Sequence, residues 1–155
     1  MADIVDRKTR SRMMSGIRGK NTRPEILIRS LLHRAGFRFR LHVKDLPGKP
    51  DIVLPKFRVI ILVDGCFWHG HGCHLFKWPG TRKTFWVTKI HRNMEVDREA
   101  IQGLKAAGWR VAIVWECSIK GRYRLDEKIL TERLVRWIKG KRSVLELKSR
   151  EGRRR

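Results

Sequence analysis

The sequence predicts an α/β fold in which helices cover a mixed β-sheet. Two observations support this prediction. Short and almost continuous apolar runs, which are typical of buried strands, alternate with longer segments that have the period of an amphipathic helix. In addition, the 155 residues contain no internal repeat and no linker that would divide them, and this length suits one domain with a substantial core. We therefore predict a single α/β domain.

The first predicted helix extends from about Arg23 to Ala35. Thr22 is its expected N-cap, Pro24 lies in its first turn, and Gly36 ends it. Its expected core face consists of Ile26, Leu27 and Leu31, with Ile28 and Leu32 at the edge. Three strands should follow: FRFRLHV, with Phe37, Phe39 and Leu41 pointing inward; DIVLP; and the apolar run FRVIILVDG, which is typical of a buried central strand.

A long helix is predicted from about Thr84 to Ala107, followed by the strand WRVAIVWEC and the amphipathic helix DEKILTERLVRWIKG. Basic residues concentrate at both ends of the chain. We interpret residues 1–22 as a basic arm that contacts DNA, residues 23–140 as the folded domain, and residues 141–155 as a basic, disordered tail.

The charge of the chain predicts its class of partner. The sequence has 37 Lys and Arg against 15 Asp and Glu, which gives a net charge of +22. Such an imbalance favours a polyanion, and nucleic acid is the leading candidate over an anionic membrane. No apolar run is long enough for a membrane span, and MADIVDRKTR lacks a signal-peptide core, so we expect a cytoplasmic protein. We also expect it to be a monomer.

The stretch VDGCFWHGHGCHLF holds two cysteines and three histidines in fourteen residues. The chain has three cysteines, and an odd number argues for thiolate ligation rather than for a disulfide framework. Cys66, His71 and Cys73, with the distant Cys117, make a Cys3His set of the kind that holds structural Zn²⁺. His69 and His74 are rival imidazole ligands, and the alternative is that the cysteines are ordinary buried side chains.

Acidic residues stand at strand ends. Asp51 precedes one predicted strand and Asp64 ends the next, and a short connection brings these ends together. Carboxylates at such an edge suit Mg²⁺, and with Glu25 and an imidazole at His69 they form a workable site for phosphodiester hydrolysis. Each residue also has a structural explanation, because Glu25 fits a capping box with Thr22 and the aspartates fit turns.

One face of the long helix is polar. Trp86, Lys89, Asn93 and Asp97 recur at helical spacing, whereas the core face is formed by Val87, Ile90, Met94, Ile101 and Leu104. Lysine and asparagine at this spacing suit hydrogen bonds to base edges. Phe67 and Trp68, with Trp86, are candidates for stacking on bases, the alternative being that these rings are buried. Burial is the stronger expectation for Trp109 and Trp115.

These motifs together resemble one family. DGCFWHGHGC, preceded by LPGKPDIVLP and followed by a TFW-x2-K-I-x2-N-x3-D helix and a GWRV-x-IVWEC strand, closely resembles the very-short-patch-repair mismatch endonucleases. The opening DRKTRSRMMSGIRGKNTRPE is similar to that family's N-terminal segment. The resemblance extends over about residues 3–140, and the combination of motifs is specific. It implies a restriction-endonuclease-like fold.

The resemblance also implies the activity, namely a nick in double-stranded DNA on the 5′ side of the thymine in a T·G mismatch. Such mismatches arise when 5-methylcytosine deaminates, which implies a functional link to a cytosine-5 methyltransferase. By matching positions, Asp51 and the main-chain carbonyl of Val63 are magnesium ligands, with Asp64 as a further candidate. His69 is the proton-handling imidazole, Asp97 steadies it, and Glu25 assists.

The remaining correspondences concern zinc and DNA. Cys66, His71, Cys73 and Cys117 match the structural zinc ligands. Phe67, Trp68 and Trp86 match aromatics that wedge into the duplex from the major groove, and Lys89 and Asn93 match positions that read the mismatch. Met14 and Ile17 match the segment that approaches from the minor groove. Val63-Asp64 departs from the Glu-x-Lys of many restriction-type nucleases, which argues against a lysine-based mechanism. A general nuclease of this fold and a zinc-stabilised binding module are the alternatives.

Overall fold

The computed structural model describes residues 22–150. Its helices are α1 (Arg23–Arg34), α2 (Lys83–Ala106) and α3 (Glu127–Lys139). Its strands are β1 (Arg40–Leu41), β2 (Ile52–Leu54), β3 (Val59–Asp64), β4 (Arg110–Trp115) and β5 (Val144–Leu147), with short 3-10 turns at Pro55–Phe57 and Glu116–Ser118. Met14, Ile17 and most of the predicted N-terminal arm lie outside the described residues.

The five strands form one mixed sheet in the order β1-β2-β3-β4-β5. β1, β2 and β3 are antiparallel, and the tight turn at Pro55–Phe57 joins β2 to β3. β3, β4 and β5 are parallel, so helices α2 and α3 serve as their crossover connections. The predicted α/β class with a mixed sheet is confirmed.

Helices cover both faces of the sheet because the central strands are apolar on both sides. In β3, Val59 and Ile61 face a core formed with α1 and α3, whereas Ile60 faces a second core with Leu104 of α2. All four of these side chains are completely buried. Each such residue contributes about 1.5–3 kcal/mol to folding, so β3 anchors both layers.

Three parts of the structure differ from the prediction, namely α1, the first strand and the C-terminal tail. In α1, Ile28, Leu31 and Leu32 are buried, whereas Ile26, which we expected in the core, is 49% exposed. The first strand is shorter than predicted, and Leu41 is exposed rather than inward. The buried stripe of α1 is thus shifted around the helix relative to the predicted one, because α1 must pack on the sheet and on α3 together.

The predicted disordered tail is wrong for Val144–Leu147. These residues form β5, which is parallel to β4, and Leu147 is completely buried in the main core. The alternation of Val144, Leu145, Glu146 and Leu147 was a usable strand signal, but it lies among lysines and arginines. Among residues 22–150, no helix combines the length and apolar character that crossing a membrane requires.

Candidate active site and metal centre

Asp51 and Asp64 meet at one edge of the sheet. Asp51 precedes β2 and Asp64 ends β3, and the antiparallel pairing of these strands brings both residues to the same end. The main-chain N–H of Val63 donates to Asp51 Oδ2 at 3.0 Å. Burial raises the pKa of Asp51, and this hydrogen bond partly offsets the increase. The predicted pair of strand-end carboxylates is therefore brought together, and an open cleft lies over it.

A histidine that the sequence reasoning missed adjoins Asp51. His42 follows β1, and its Nε2 lies 3.1 Å from Glu25 Oε1. Arg29, one turn after Glu25 on α1, also contacts the Glu25 carboxylate and lies 3.0 Å from His42 Nε2. Ligand atoms of Glu25, His42 and Asp51 lie within 4.8 Å of one another, which is compatible with holding a cation. A lone histidine at the end of a short strand has no motif that would have revealed it.

The N-cap prediction for α1 is confirmed. Thr22 Oγ1 accepts a hydrogen bond from Glu25 N at 3.4 Å. The Glu25 side chain is 3% exposed and contacts His42 and Arg29, at the edge of the cleft. The cap thus starts α1 at the residue that places Glu25 beside Asp51.

A second group joins the loop after β3 to α2. His69 Nδ1 lies 2.5 Å from Asp97 Oδ2, and His69 Nε2 lies 3.8 Å from Asp64 Oδ1. Burial raises the pKa of Asp64 to about 7. Burial lowers the pKa of His69, but the hydrogen bond with Asp97 and the charge of Asp64 outweigh this and raise it to about 8. Asp97 thus orients the imidazole so that Nε2 faces the cleft carboxylates.

The three cysteines gather around one histidine. Ligand atoms of Cys66, His71, Cys73 and Cys117 lie within 4.8 Å of one another. His71 Nδ1 is 3.6 Å from Cys66 Sγ and 3.5 Å from Cys117 Sγ. Of the rival imidazoles, His69 lies against Asp97, and His74 packs against Tyr123. These four residues are the candidate metal centre, and they were the four selected from the sequence.

Backbone groups support this centre. Cys66 Sγ accepts from Cys117 N, and Cys117 Sγ accepts from Ser149 N, each at 3.3 Å. The hydrogen bond with Cys66 lowers the pKa of Cys117 to about 5 and raises that of Cys66. The His71 ring stacks on Trp115, with centroids 4.1 Å apart. The cluster therefore ties the loop to the end of β4 and to the segment that follows β5.

Phe67, Trp68 and Trp86 form a cluster of half-buried rings that we call the aromatic wedge. The centroid of Phe67 lies 5.1 Å from that of Trp68 and 5.3 Å from that of Trp86. The centroids of Trp68 and Trp86 are 5.8 Å apart. The three rings support one another and remain partly accessible beside the cleft. Trp115 and Trp109, for which we expected burial, are also half-buried.

The polar face of α2 points towards the cleft. Lys89, Asn93 and Asp97 line the cleft, as their spacing predicted. Asn93 Nδ2 donates to the main-chain carbonyl of Trp68 at 2.9 Å, so Asn93 also braces the loop that carries the wedge. Gly70 has a φ of +65°, and a Cβ there would lie 2.6 Å from the Met94 sulfur. The loop therefore lies directly on α2, and this contact needs glycine.

Comparison with known proteins shows the family of the chain. The family profile of DNA mismatch endonuclease Vsr matches residues 2–75. The DNA mismatch endonuclease Vsr of Escherichia coli (strain K12) is 49% identical over 140 residues, which cover 90% of each chain. The type II nicking enzyme V.XorIIP of Xanthomonas oryzae pv. oryzae (strain KACC10331 / KXO85) is 47% identical over 129 residues, covering 83% of this chain and 95% of the relative.

A third relative, the type II nicking enzyme V.NmeAIP of Neisseria meningitidis serogroup A / serotype 4A (strain DSM 15465 / Z2491), is 41% identical over 139 residues, which cover 90% of this chain and 98% of the relative. The similar proteins are thus endonucleases. The chain belongs to the family of the DNA mismatch endonuclease Vsr. The resemblance seen in the sequence motifs is confirmed.

Proposed function

We propose that the protein is a Mg²⁺-dependent endonuclease that nicks double-stranded DNA on the 5′ side of the thymine in a T·G mismatch. The observation that carries this proposal is the convergence of Asp51, Asp64 and His69 at one edge of the sheet, beside the aromatic wedge. Family membership and the charge of +22 support DNA as the substrate. Deamination of 5-methylcytosine produces such mismatches, so we expect a functional link to a cytosine-5 methyltransferase.

The residues at the sheet edge suit a hard cation. Asp51, the main-chain carbonyl of Val63 and Asp64 would hold Mg²⁺, which prefers oxygen ligands and keeps several waters. When bound, the ion supplies Lewis-acid activation of water and of the scissile phosphate. The raised pKa values of both aspartates fit a half-buried and a buried carboxylate that a bound cation would stabilise in the charged form.

His69 moves the proton in this proposal. Asp97 holds Nδ1, so that Nε2 is the nitrogen which faces Asp64 and the reacting groups. A proton is exchanged at Nε2 between the imidazole and the water or leaving oxygen of the phosphodiester. The carboxylate of Asp97 stabilises the imidazolium that forms. Glu25 assists from α1 through its contact with His42, which lies beside Asp51.

The DNA contacts follow from the surroundings of the cleft. The aromatic wedge would enter the duplex at the mismatch from the major groove, since its rings are clustered and partly accessible. Lys89 and Asn93 would read the mismatched bases, Asn93 with the part of its amide that does not bind Trp68. Met14 and Ile17 would approach from the minor groove. We further assign the sheet to the restriction-endonuclease-like fold and expect a monomer that acts at the nucleoid.

We assign Zn²⁺ to Cys66, His71, Cys73 and Cys117. Tetrahedral coordination with Zn–S of about 2.3 Å and Zn–N of about 2.1 Å separates the sulfur and nitrogen ligands by about 3.6 Å. The observed separations from His71 Nδ1 are 3.6 and 3.5 Å. Because all four positions are taken by protein, the ion would be structural and would brace the loop that carries both His69 and the wedge.

The first test is Asp51→Ala, with Glu132→Ala on α3 as a matched control at an exposed carboxylate. Without the carboxylate, Mg²⁺-dependent nicking of a T·G duplex should fall about 10³-fold or more, whereas binding of the same duplex in the absence of Mg²⁺ should persist. The control should nick like the unaltered protein. Undiminished nicking by Asp51→Ala would contradict the assignment. If the unaltered protein and both variants bound the duplex equally and none of them nicked it, the protein would be a binding module.

The second test concerns the substrate. Nicking is compared on two duplexes of identical flanking sequence, one with T·G and one with paired C·G, in a panel of flanks. A mismatch endonuclease nicks the first and spares the second, and the nick maps to the 5′ side of the thymine. Equal cleavage of the two duplexes would indicate a general nuclease of the same family.

A further inference from the structure

Two large aromatic rings are exposed beside the aromatic wedge and have no role in the function proposed so far. Trp78 is 44% and Phe85 is 45% exposed. The other large apolar side chains with high exposure among residues 22–150 are aliphatic and belong to α1, β1, α2, α3 and β5. Single exposed apolar residues are common, but exposed apolar surface that is continuous with a further apolar cluster is typical of a binding surface.

Both rings are continuous with the wedge. Phe85 contacts Trp86, with centroids 5.2 Å apart. Phe76 forms the other connection, since its centroid lies 6.0 Å from that of Phe67 and 4.9 Å from that of Trp78. We call Trp78 and Phe85 the outer rings. The outer rings therefore extend the wedge as a continuous series of ring contacts.

The charge around the outer rings matches a polyanion. Residues 76–94 contain five lysines or arginines and no aspartate or glutamate. Among the described residues, the ion pairs do not involve any of these five cations. The guanidinium of Arg82 lies 4.6 Å from the centre of the Phe85 ring. A surface of aromatic rings and unpaired cations suits contact with nucleic-acid bases and phosphates.

The length of α2 separates this surface from the chemistry. Phe85 precedes Asp97 by twelve residues, which at 1.5 Å per residue is about 18 Å along the helix. Trp86 lies next to Phe85 at the same end of the helix, so the outer rings adjoin the wedge and are separated from Asp97. They are therefore placed to meet the bases and sugars next to the mismatch, on one flank, rather than the scissile phosphate.

We propose that Trp78 and Phe85, with Arg82, form a second DNA contact that grips one flank of the mismatched duplex next to the aromatic wedge. The inference rests on the proposed function, because it places the mismatch at the wedge. The contact would hold the duplex while the wedge separates the stacked bases, since rings packed against the neighbouring sugars and bases oppose withdrawal of the DNA. It would therefore determine affinity and the extent of flank required.

The test measures binding and nicking of T·G duplexes by the full chain. Trp78→Ala and Phe85→Ala should each weaken binding, followed by fluorescence anisotropy without Mg²⁺, about tenfold. The single-turnover nicking rate at saturating protein should stay within about twofold, because the reacting groups are untouched. Ile129→Ala, at a 46% exposed residue of α3, is the matched control and should bind normally. Trp78→Tyr should restore most of the affinity.

Shortening each flank of the duplex in turn locates the contact. With one flank reduced to about two base pairs, the unaltered protein and Trp78→Ala should bind equally, because the DNA no longer reaches the outer rings. With the other flank reduced, the tenfold difference should persist. Equal affinities on the long duplex would overturn the inference. A difference that persists when the first flank is shortened and also when the second is shortened would overturn it as well.

The two proposals fail separately. If the unaltered protein does not nick the long T·G duplex, the proposed function is wrong, and anisotropy still reports whether the outer rings bind DNA. If it nicks that duplex and the two ring variants bind as tightly as it does, only the second contact is wrong. Melting temperatures near that of the unaltered protein show that the variants are folded.

Discussion

Two clusters share one loop but have opposite character. The cysteine cluster consists of Cys66, His71, Cys73 and Cys117, and the carboxylate cluster consists of Asp64, His69 and Asp97. In the cysteine cluster Cys66 and Cys117 are completely buried, and protein atoms supply three soft thiolates and one imidazole around one point. In the carboxylate cluster, His69 and Asp97 have side chains that are 27% and 32% exposed, and the cleft opens above them. The first arrangement closes a site, and the second leaves room for water and substrate.

The comparison shows how one short loop serves both purposes. His71 points to β4, where it stacks on Trp115, whereas His69 points to α2, where it binds Asp97. The loop therefore bridges the sheet and the helix that carry the two halves of the site. A closed metal centre on one side can make the position of His69 on the other side reproducible, because rigid support is what a proton-transfer group needs.

The largest expected effect on stability comes from removing a ligand of the cysteine cluster. Cys117→Ser should abolish binding of the Zn²⁺ that we assign to this cluster and lower the free energy of unfolding by more than about 3 kcal/mol, because metal binding contributes directly to folding. Chemical denaturation and metal analysis measure the two effects, and Lys120→Ala, an exposed change in the next segment, is the control. A variant that is free of zinc yet as stable as the unaltered protein would show that the cluster does not support the fold.

A substitution in the carboxylate cluster should affect activity clearly and stability less. Asp97→Asn should lower nicking about 10²-fold, because the amide orients the His69 ring less well and removes the charge that favours its protonated form. The pKa of His69 should fall from about 8, which a histidine titration by NMR detects. Stability should change by less than about 1 kcal/mol, which is the usual contribution of one hydrogen bond at a partly exposed position.

Glu99→Gln, an exposed carboxylate on the same helix, is the matched control for this variant and should leave both nicking and the His69 titration unchanged. If Asp97→Asn unfolded the protein instead, the carboxylate cluster would support the fold just as the cysteine cluster does. The proposed difference in their roles would then be wrong.

The last variant adds a single methyl group and tests whether the two clusters depend on each other. Gly70→Ala places a Cβ 2.6 Å from the Met94 sulfur and 2.9 Å from a methyl group of Ile90, at a φ of +65°. We expect a loss of about 1–3 kcal/mol in stability together with reduced nicking, because the loop must lift from α2. Gly72→Ala is the control, since a Cβ there meets nothing within 4 Å. Normal nicking by a destabilised Gly70→Ala protein would show that the clusters act independently.

Much of the candidate site could be predicted because its ligands lie close together in the sequence or at helical spacing. Cys66, His71 and Cys73 occupy one loop. The odd number of cysteines argued for thiolate ligation and therefore indicated Cys117 as the fourth ligand. Lys89, Asn93 and Asp97 share one face of α2 through the period of the helix. Local rules were sufficient in both cases, and the structure brings together the residues that they selected.

Other features depend on packing between distant segments. His42 joins Glu25 and Asp51 only because the end of β1 lies against α1, and no motif surrounds it. β5 forms because β4 offers a free edge to a chain segment whose charges favour solvent. In α1, Ile28, Leu31 and Leu32 are buried rather than Ile26 because the helix contacts the sheet and α3 at the same time.

The sequence by itself determined the α/β class, the DNA-directed charge, the family and the identities of the metal-ligand candidates. These properties follow from composition, from the two periods of regular structure and from ligand chemistry, which all act over short distances along the chain. Only the tertiary structure placed the rival histidines His69 and His74 away from the cysteines. It also decided that Asn93 braces the wedge loop and that Trp78 and Phe85 remain exposed beside the wedge. These features depend on which side chains become buried or hydrogen-bonded when the helices pack on the sheet, and that depends on contacts between segments that are distant in the sequence.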